Sequence, residues 1–159
     1  MFGSAMAASP RSIARPPIHI RLGAPLMQRL MRMGVPMGPS MAILTIRGRR
    51  SGLPRTTPVT LVAVGGQRWV IGTFGDSNWV RNLRAAGEAT LGAGRRSETV
   101  RAAELTQDEK AAFFRDVMKS FVRGVPMGTL MLGMLGARDI LQDPSGRALR
   151  HPVFELHRA

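Results

Sequence analysis

Three arginines, one serine, two threonines and two glycines fall within the eleven residues Gly48-Arg49-Arg50-Ser51-Gly52-Leu53-Pro54-Arg55-Thr56-Thr57-Pro58. A guanidinium is a planar, permanently charged fork that binds phosphate or carboxylate through two parallel hydrogen bonds. Glycine lets backbone amides approach an anion closely, and Ser and Thr hydroxyls add uncharged donors. Like charges gathered on one turn repel unless an anion lies between them or water screens them. The segment is therefore either a solvated basic loop or the seat of an anionic ligand, and composition alone leaves both readings open.

Other chemistries lack their residues. The chain has no cysteine, which excludes disulfides, thiolate nucleophiles and cysteine-held metals. His19, His151 and His157 do not lie at metal-ligand spacing and have no carboxylate cluster beside them, so no metal site is expected. No paired acids suit hydrolysis, and no Ser/His/Asp set stands out. The phosphate-loop pattern G-x-x-x-x-G-K-[ST] is absent, and the glycines at 124, 128, 133 and 136 do not follow a strand in a βαβ unit. Nucleoside triphosphatase chemistry and a Rossmann dinucleotide site are both disfavoured.

The net charge is +13, and with only Lys110 and Lys119 as lysines, arginine supplies 23 − 2 = 21 of the positive charges. Such a bias arises from a GC-rich genome as readily as from function. A surface this basic suits nucleic acid, an anionic membrane or an anionic small molecule. Aromatic residues make up only 5% of the chain and none is tyrosine, so the stacking platform of single-strand-binding barrels is missing and no specific nucleic-acid partner is expected. The first 21 residues hold no apolar run of a secretory signal, and no stretch reaches the roughly 18 apolar residues of a membrane span. A cytoplasmic protein is expected, with membrane association at an anionic surface left open.

The elements that must position these residues read as one domain over 21–159, preceded by a flexible arm over 1–20. Residues 25–33 place Leu26, Met27, Leu30 and Met31 on one face of a short basic helix, which could touch a membrane surface. Strands are expected at Ala42–Ile46, Val59–Val64 and Arg68–Thr73, the last two joined as a hairpin through Gly65-Gly66. Asn78–Ala86 has helical spacing, with Trp79, Asn82 and Leu83 at i, i+3 and i+4. Ala89–Gly94 and Thr99–Leu105 form a second hairpin around Gly94-Arg95-Arg96-Ser97. Thr106 and Glu109 make a capping-box pattern for a helix running through Phe113, Phe114, Val117 and Met118. A Gly/Met/Leu-rich segment follows from Gly124 to Gly136, and Val153–Leu156 closes the chain as a strand. The methionines concentrate at 27–41 and 118–134, as core filler or as an adaptable apolar mouth. Six short, mostly antiparallel strands with interspersed helices predict an α+β fold, a small closed barrel with flanking helices.

The stretch LTIRGRRSGLPRTTPVTLVAVGGQRWVIGTFGDSNWVRNLRAAGEATL, with HPVFEL at 151–156, resembles the deazaflavin-dependent nitroreductase and quinone reductase family. The resemblance covers roughly residues 41–105. It rests on GR[KR]SG-x-PR-x-x-P between two strands, then Gly-Gly, a strand, and W-x-x-NL-[KR]-A. It implies a split β-barrel related to the flavin-mononucleotide-binding barrels. It also implies the cofactor 8-hydroxy-5-deazaflavin (coenzyme F420), with FMN as the alternative. The implied activity is an oxidoreductase that transfers a hydride from reduced deazaflavin to a small or lipophilic acceptor: a quinone, nitro compound or activated alkene. The alternative within the same barrel is a non-catalytic carrier for a lipid, haem or flavin-type cofactor.

By that resemblance Arg49, Arg50 and Arg55 match the positions that hold the cofactor's phosphate-lactyl-glutamate tail, and Ser51 and Thr56 are further cofactor-binding candidates. Thr57, Pro58 and Val59 match the backbone lining it. Gly72, Thr73 and Phe74 match the strand end beside the ring, with Thr73 the candidate for polarising acceptor or ring. Trp79 and Asn82 match the helix that closes the pocket. Two departures stand out. Family nitroreductases often place a tyrosine near the substrate, and this chain has none; Phe74 stands where some relatives carry a lysine. Monomer and homodimer are both compatible with the resemblance.

Overall fold

The computed structural model describes residues 41–124 and 150–159, together with Pro25 and Arg29 as two isolated helical positions. The expected arm over 1–20, most of the helix over 25–33 and the Gly/Met/Leu-rich segment beyond 124 lie outside the described residues. The elements in chain order are β1 (Met41–Arg47), β2 (Pro54–Val64), β3 (Gln67–Ile71), α1 (Asn78–Ala86), β4 (Glu88–Ala93) and β5 (Arg96–Glu104), then α2 (Gln107–Ala112), a π-helical turn (Phe113–Val117), α3 (Met118–Gly124) and β6 (Val153–Arg158). The strands close a barrel in the order β1-β2-β3-β6-β5-β4, every pair antiparallel.

Alternation along each strand separates two cores, because successive side chains point to opposite faces of a sheet. In β1 the buried positions are Ala42, Leu44 and Ile46. They meet Val59, Leu61, Val70, Leu91, Val100, Phe154 and Leu156 inside the barrel. The alternate residues Val62, Trp69, Ile71 and Val153 face outward and are covered by Phe113, Phe114, Met118 and Phe121. The helical segment 107–124 therefore packs on the outside of β2, β3 and β6. Its start is fixed as expected: Thr106 N donates to Glu109 Oε2 at 2.7 Å and Glu109 N donates to Thr106 Oγ1 at 3.3 Å. The π-helical turn is not foreseen from spacing; its wider path carries the consecutive residues Phe113 and Phe114 both into the outer core, and Trp69 meets the Phe113 ring at 5.3 Å.

The two barrel ends differ. At one, α1 lays Val80 and Leu83 across the interior. At the other, Arg68 and Arg158, whose register partners Leu156 and Val100 belong to the inner core, form ion pairs with Glu98. Of the two hairpins at this end, β2–β3 turns through Gly65-Gly66, with φ of 60° and 81°, a left-handed pair that side chains other than glycine seldom adopt.

The largest boundary correction is in β2; β3 also ends at Ile71 rather than Thr73, and β5 begins at Arg96 rather than Thr99. The sequence reading starts β2 at Val59 and leaves Arg55 to Pro58 in a loop, whereas β2 begins at Pro54 and pairs with β1 from Arg47↔Pro54 to Met41↔Thr60. Two prolines are tolerated because β3 pairs only with Leu61–Val64, so over residues 54–60 no described strand lies against the second edge of β2.

Asp76 and Glu98 tie the stability of this fold to pH. The largest single influence on the Asp76 carboxyl is burial, which would raise it, but hydrogen bonds from Arg84 and Arg81 outweigh that and hold it below the usual carboxylate range. Glu98 is held low chiefly by its hydrogen bond from Arg68. Depressed carboxylates stabilise the fold above their ordinary value and cease to do so as pH falls through the folded-state value. Tm is thus expected to be level between about pH 7 and 5 and to drop below about pH 4. In Asp76→Asn that acid drop should be shallower, as read by thermal melts across pH.

Candidate functional site

The arginine segment divides into a turn and a strand. Gly48 N donates to Leu53 O at 2.8 Å and Gly52 N donates to Gly48 O at 2.8 Å, which closes residues 48–53. Ser51 Oγ accepts from Leu53 N at 3.3 Å, so Ser51 shapes the turn. Arg50 and Arg55 are exposed and make no hydrogen bond or ion pair among the described residues. Arg49 is different. Its backbone N and its Nη1 donate to Asn82 Oδ1 at 3.2 and 2.8 Å, and its guanidinium reaches Asn78 O and Asn78 Oδ1, both at 3.5 Å.

The other predicted residues distribute around this turn. Thr56 Oγ1 meets Thr45 Oγ1 across the ladder at 3.4 Å, and Thr57 Oγ1 donates to Pro58 O at 3.4 Å. Val59 is buried in the barrel core, so only its backbone is available to a ligand. Thr56 to Val59 all lie on the stretch of β2 whose second edge has no described strand against it.

Gly72, Thr73 and Phe74 begin the loop from β3 to α1. Gly72 N donates to Pro152 O at 2.8 Å, and His151 Nδ1 lies 3.3 Å from Gly72 O. A Cβ on Gly72 would come within 2.9 Å of Val80 Cγ2, 3.0 Å of Gly75 O and 3.2 Å of Pro152 Cδ. Gly72→Ala is accordingly expected to cost about 1–3 kcal/mol by overpacking, read as a lower urea midpoint, and to displace the loop that carries Thr73. Thr73 N donates to Ile71 O at 3.1 Å, so its amide is already engaged and its hydroxyl is the group left for chemistry. Trp79 is half-buried on the inner core, its ring 6.4 Å from that of Phe154. Its helical neighbour Asn82 is buried and faces Arg49.

An ion network fixes α1 over the barrel end. Asp76 accepts from Arg81 at 3.1 Å and from Arg84 at 2.8 Å, and Arg84 also pairs with Glu104 at 2.6 Å. The hydrogen bond to Glu104, with that to Asp76, raises the Arg84 guanidinium further and keeps it charged at any working pH. Together these contacts draw the arginine turn, the 72–77 loop and α1 to one end of the barrel. On another flank of the turn, Arg47, Gly52, Pro54, Ala85, Ala86 and Thr90 help line an open groove of about 630 Å³.

Sequence reasoning does not find Asn78, Ser77 or the Asp76 network. The repeat of Asn at 78 and 82, one turn apart on one helix face, is the signal that was present for Asn78. Ser77, the residue before α1, has a buried hydroxyl with no hydrogen-bond partner among the described residues. No described helix is long and apolar enough to cross a membrane.

The fold recurs in solved structures of low sequence identity, where likeness is of fold alone. A domain-swapped dimer is 17% identical, with 84% of this chain and 95% of that chain covered and a TM-score of 0.52. An F420-H2 dependent reductase (FDR-A) is 18% identical over 77% of this chain and 97% of its own, with a TM-score of 0.50. HutZ, the haem storage protein from Vibrio cholerae, is 11% identical over 85% and 89%, with a TM-score of 0.53. No curated protein matches the chain significantly. A small α+β split barrel is thus the class, as the strand order already indicates. Residues 21–129 match the F420H(2)-dependent quinone reductase family, and the chain belongs to that family. It is an oxidoreductase, an F420-dependent reductase.

Proposed function

We propose that the chain reduces a quinone or a similarly flat, lipophilic acceptor, with nitro compounds and activated alkenes as secondary substrates, using deazaflavin held at the α1 end of the barrel. The observation that carries the reading is the pair of exposed guanidiniums, Arg50 and Arg55, with no protein carboxylate on either among the described residues. Arg50 lies on the turn that leads into β2, and Arg55 is the second residue of that strand. The donor set fits a phosphate and a run of carboxylates, which charge-assisted bonds from arginine hold best. The orphaned Ser77 hydroxyl adds a neutral donor beside the same helix end.

When bound, the deazaflavin supplies a hydride from its reduced ring. The chain's residues do the rest. Arg50 and Arg55 fix the tail, with Arg49 completing the positive turn. Residues 72–74 and Trp79 wall the ring and exclude water, and Gly72 permits the loop to pass close to α1. With no tyrosine in the chain, a phenolic proton donor is ruled out, and in this reading the Thr73 hydroxyl is the neutral donor that polarises the acceptor. The proton that completes reduction comes from water. Thr73→Val is expected to lower turnover by about tenfold while leaving cofactor affinity unchanged, the pattern of a group that acts in the transition state.

The reading is tested by following oxidation of reduced F420 on addition of a short-chain benzoquinone or naphthoquinone. Enzyme-dependent oxidation that saturates with quinone supports it. A rate equal to the enzyme-free control with quinone, nitro compound and enone alike would sink it.

A further inference from the structure

We infer that Asn82 is a positioning residue, which sets affinity for the anionic tail by holding Arg49 and its turn against α1. The inference rests on the deazaflavin reading above and adds a role that the family pattern of the helix does not specify. Asn82 is only 7% exposed, on the helix face it shares with Asn78 and Trp79. Its carboxamide oxygen offers two lone pairs, and Arg49 uses both, one through its backbone N at 3.2 Å and one through Nη1 at 2.8 Å. That oxygen has nothing left for a ligand. Asn78, one turn earlier, holds the far side of the same guanidinium at 3.5 Å.

The chemistry of the partner matters. A neutral carboxamide restrains Arg49 without cancelling its charge. An aspartate there would bind Arg49 more strongly but would neutralise it and repel a polyanionic tail. The turn itself is closed by only two backbone hydrogen bonds, Gly48 to Leu53 and Gly52 to Gly48. The tie to α1 is therefore what fixes its orientation relative to the 72–77 loop, which runs directly into the same helix. Arg50 sits next to Arg49 on this turn, so its direction depends on the tie. Asn82 thus acts on the tail through Arg49, across the barrel end, by fixing in advance the donors that the anion meets.

The test is a double-mutant cycle read by binding. Dissociation constants for full-length F420, and for its tail-less riboflavin-like core, are measured by fluorescence for wild type, Asn82→Ala, Arg49→Ala and the double variant. Expected is a loss of about tenfold for full-length F420 in either single variant, no further loss in the double, and a change of less than about twofold for the core. Binding of the core reports that each variant is folded. Should Asn82→Ala melt below the assay temperature, Asn82→Ser takes its place in the cycle, with the same expectation. An unchanged constant for Asn82→Ala, an equal loss for the tail-less core, or an additive loss of about a hundredfold in the double would each overturn the inference. The last two would show Asn82 touching the cofactor itself. Failure of the wild type to bind either compound would overturn the deazaflavin reading, and this inference with it.

Discussion

Replacing Arg50 and Arg55 together by alanine is expected to weaken deazaflavin binding by about a hundredfold, close to 3 kcal/mol, with each single change giving about half of that free energy. Both side chains are exposed and engage nothing among the described residues, so their removal costs the fold little. The effect should be confined to binding. Two features make the expectation specific. The loss should shrink as ionic strength rises, because the Debye length contracts from about 10 Å at 0.1 M to about 3 Å at 1 M. It should also be much smaller for a deazaflavin that lacks its acidic tail. Titration of the double variant with F420, at low and high salt, checks both. Equal affinity of wild type and double variant would place the tail elsewhere on the surface, for example in the groove bordered by Arg47.

The second large effect is on stability. Phe154→Ala should destabilise the chain by about 3–5 kcal/mol, or a Tm lower by on the order of 10 °C. Phe154 is 1% exposed, and its neighbours in the inner core include residues from β1, β2, β3, β4, β5 and α1. Its ring also meets Trp79 of α1 at 6.4 Å, so the cavity would open beneath the helix that carries Asn82. Cofactor affinity is expected to fall together with stability in this variant, whereas in Arg50→Ala/Arg55→Ala affinity falls alone. Differential scanning calorimetry beside a binding titration separates the two patterns. Phe114→Ala provides a control of similar size: Phe114 is equally buried, but in the outer core away from α1, so it should lower Tm without altering affinity.

Much of this architecture is legible in the sequence because its signals are local. The Gly65-Gly66 hairpin needs two left-handed residues and has two glycines. The capping box at Thr106 and Glu109 is a pattern over four residues, and α1 shows in the spacing of Trp79, Asn82 and Leu83. What local pattern does not carry is pairing between distant segments. That β6 inserts between β3 and β5 to close the barrel depends on pairing across more than 80 residues to β3 and at least 50 residues to β5, for which the sequence offers only a short apolar run. The prolines at 54 and 58 read as loop residues since a ladder strand normally excludes them; they are accommodated because no described strand pairs with the second edge of β2 there. The candidate site divides in the same way. The arginine turn is visible as residue types in order, through a family resemblance, whereas the start of β2 at Pro54 is not. That Arg49 is tied to Asn78 and Asn82 while Arg50 and Arg55 stay exposed, with no ion pair among the described residues, emerges only once α1 is folded against the turn.

The central claim is that this basic barrel end binds the acidic tail of a deazaflavin, and the most direct measurement is an equilibrium titration of the full chain with oxidised F420 followed by fluorescence. The account predicts saturable binding with a Kd well below millimolar, weakened by salt and by loss of Arg50 and Arg55. No saturation at about 1 mM cofactor, equivalent to less than about 4 kcal/mol of binding free energy, would contradict it.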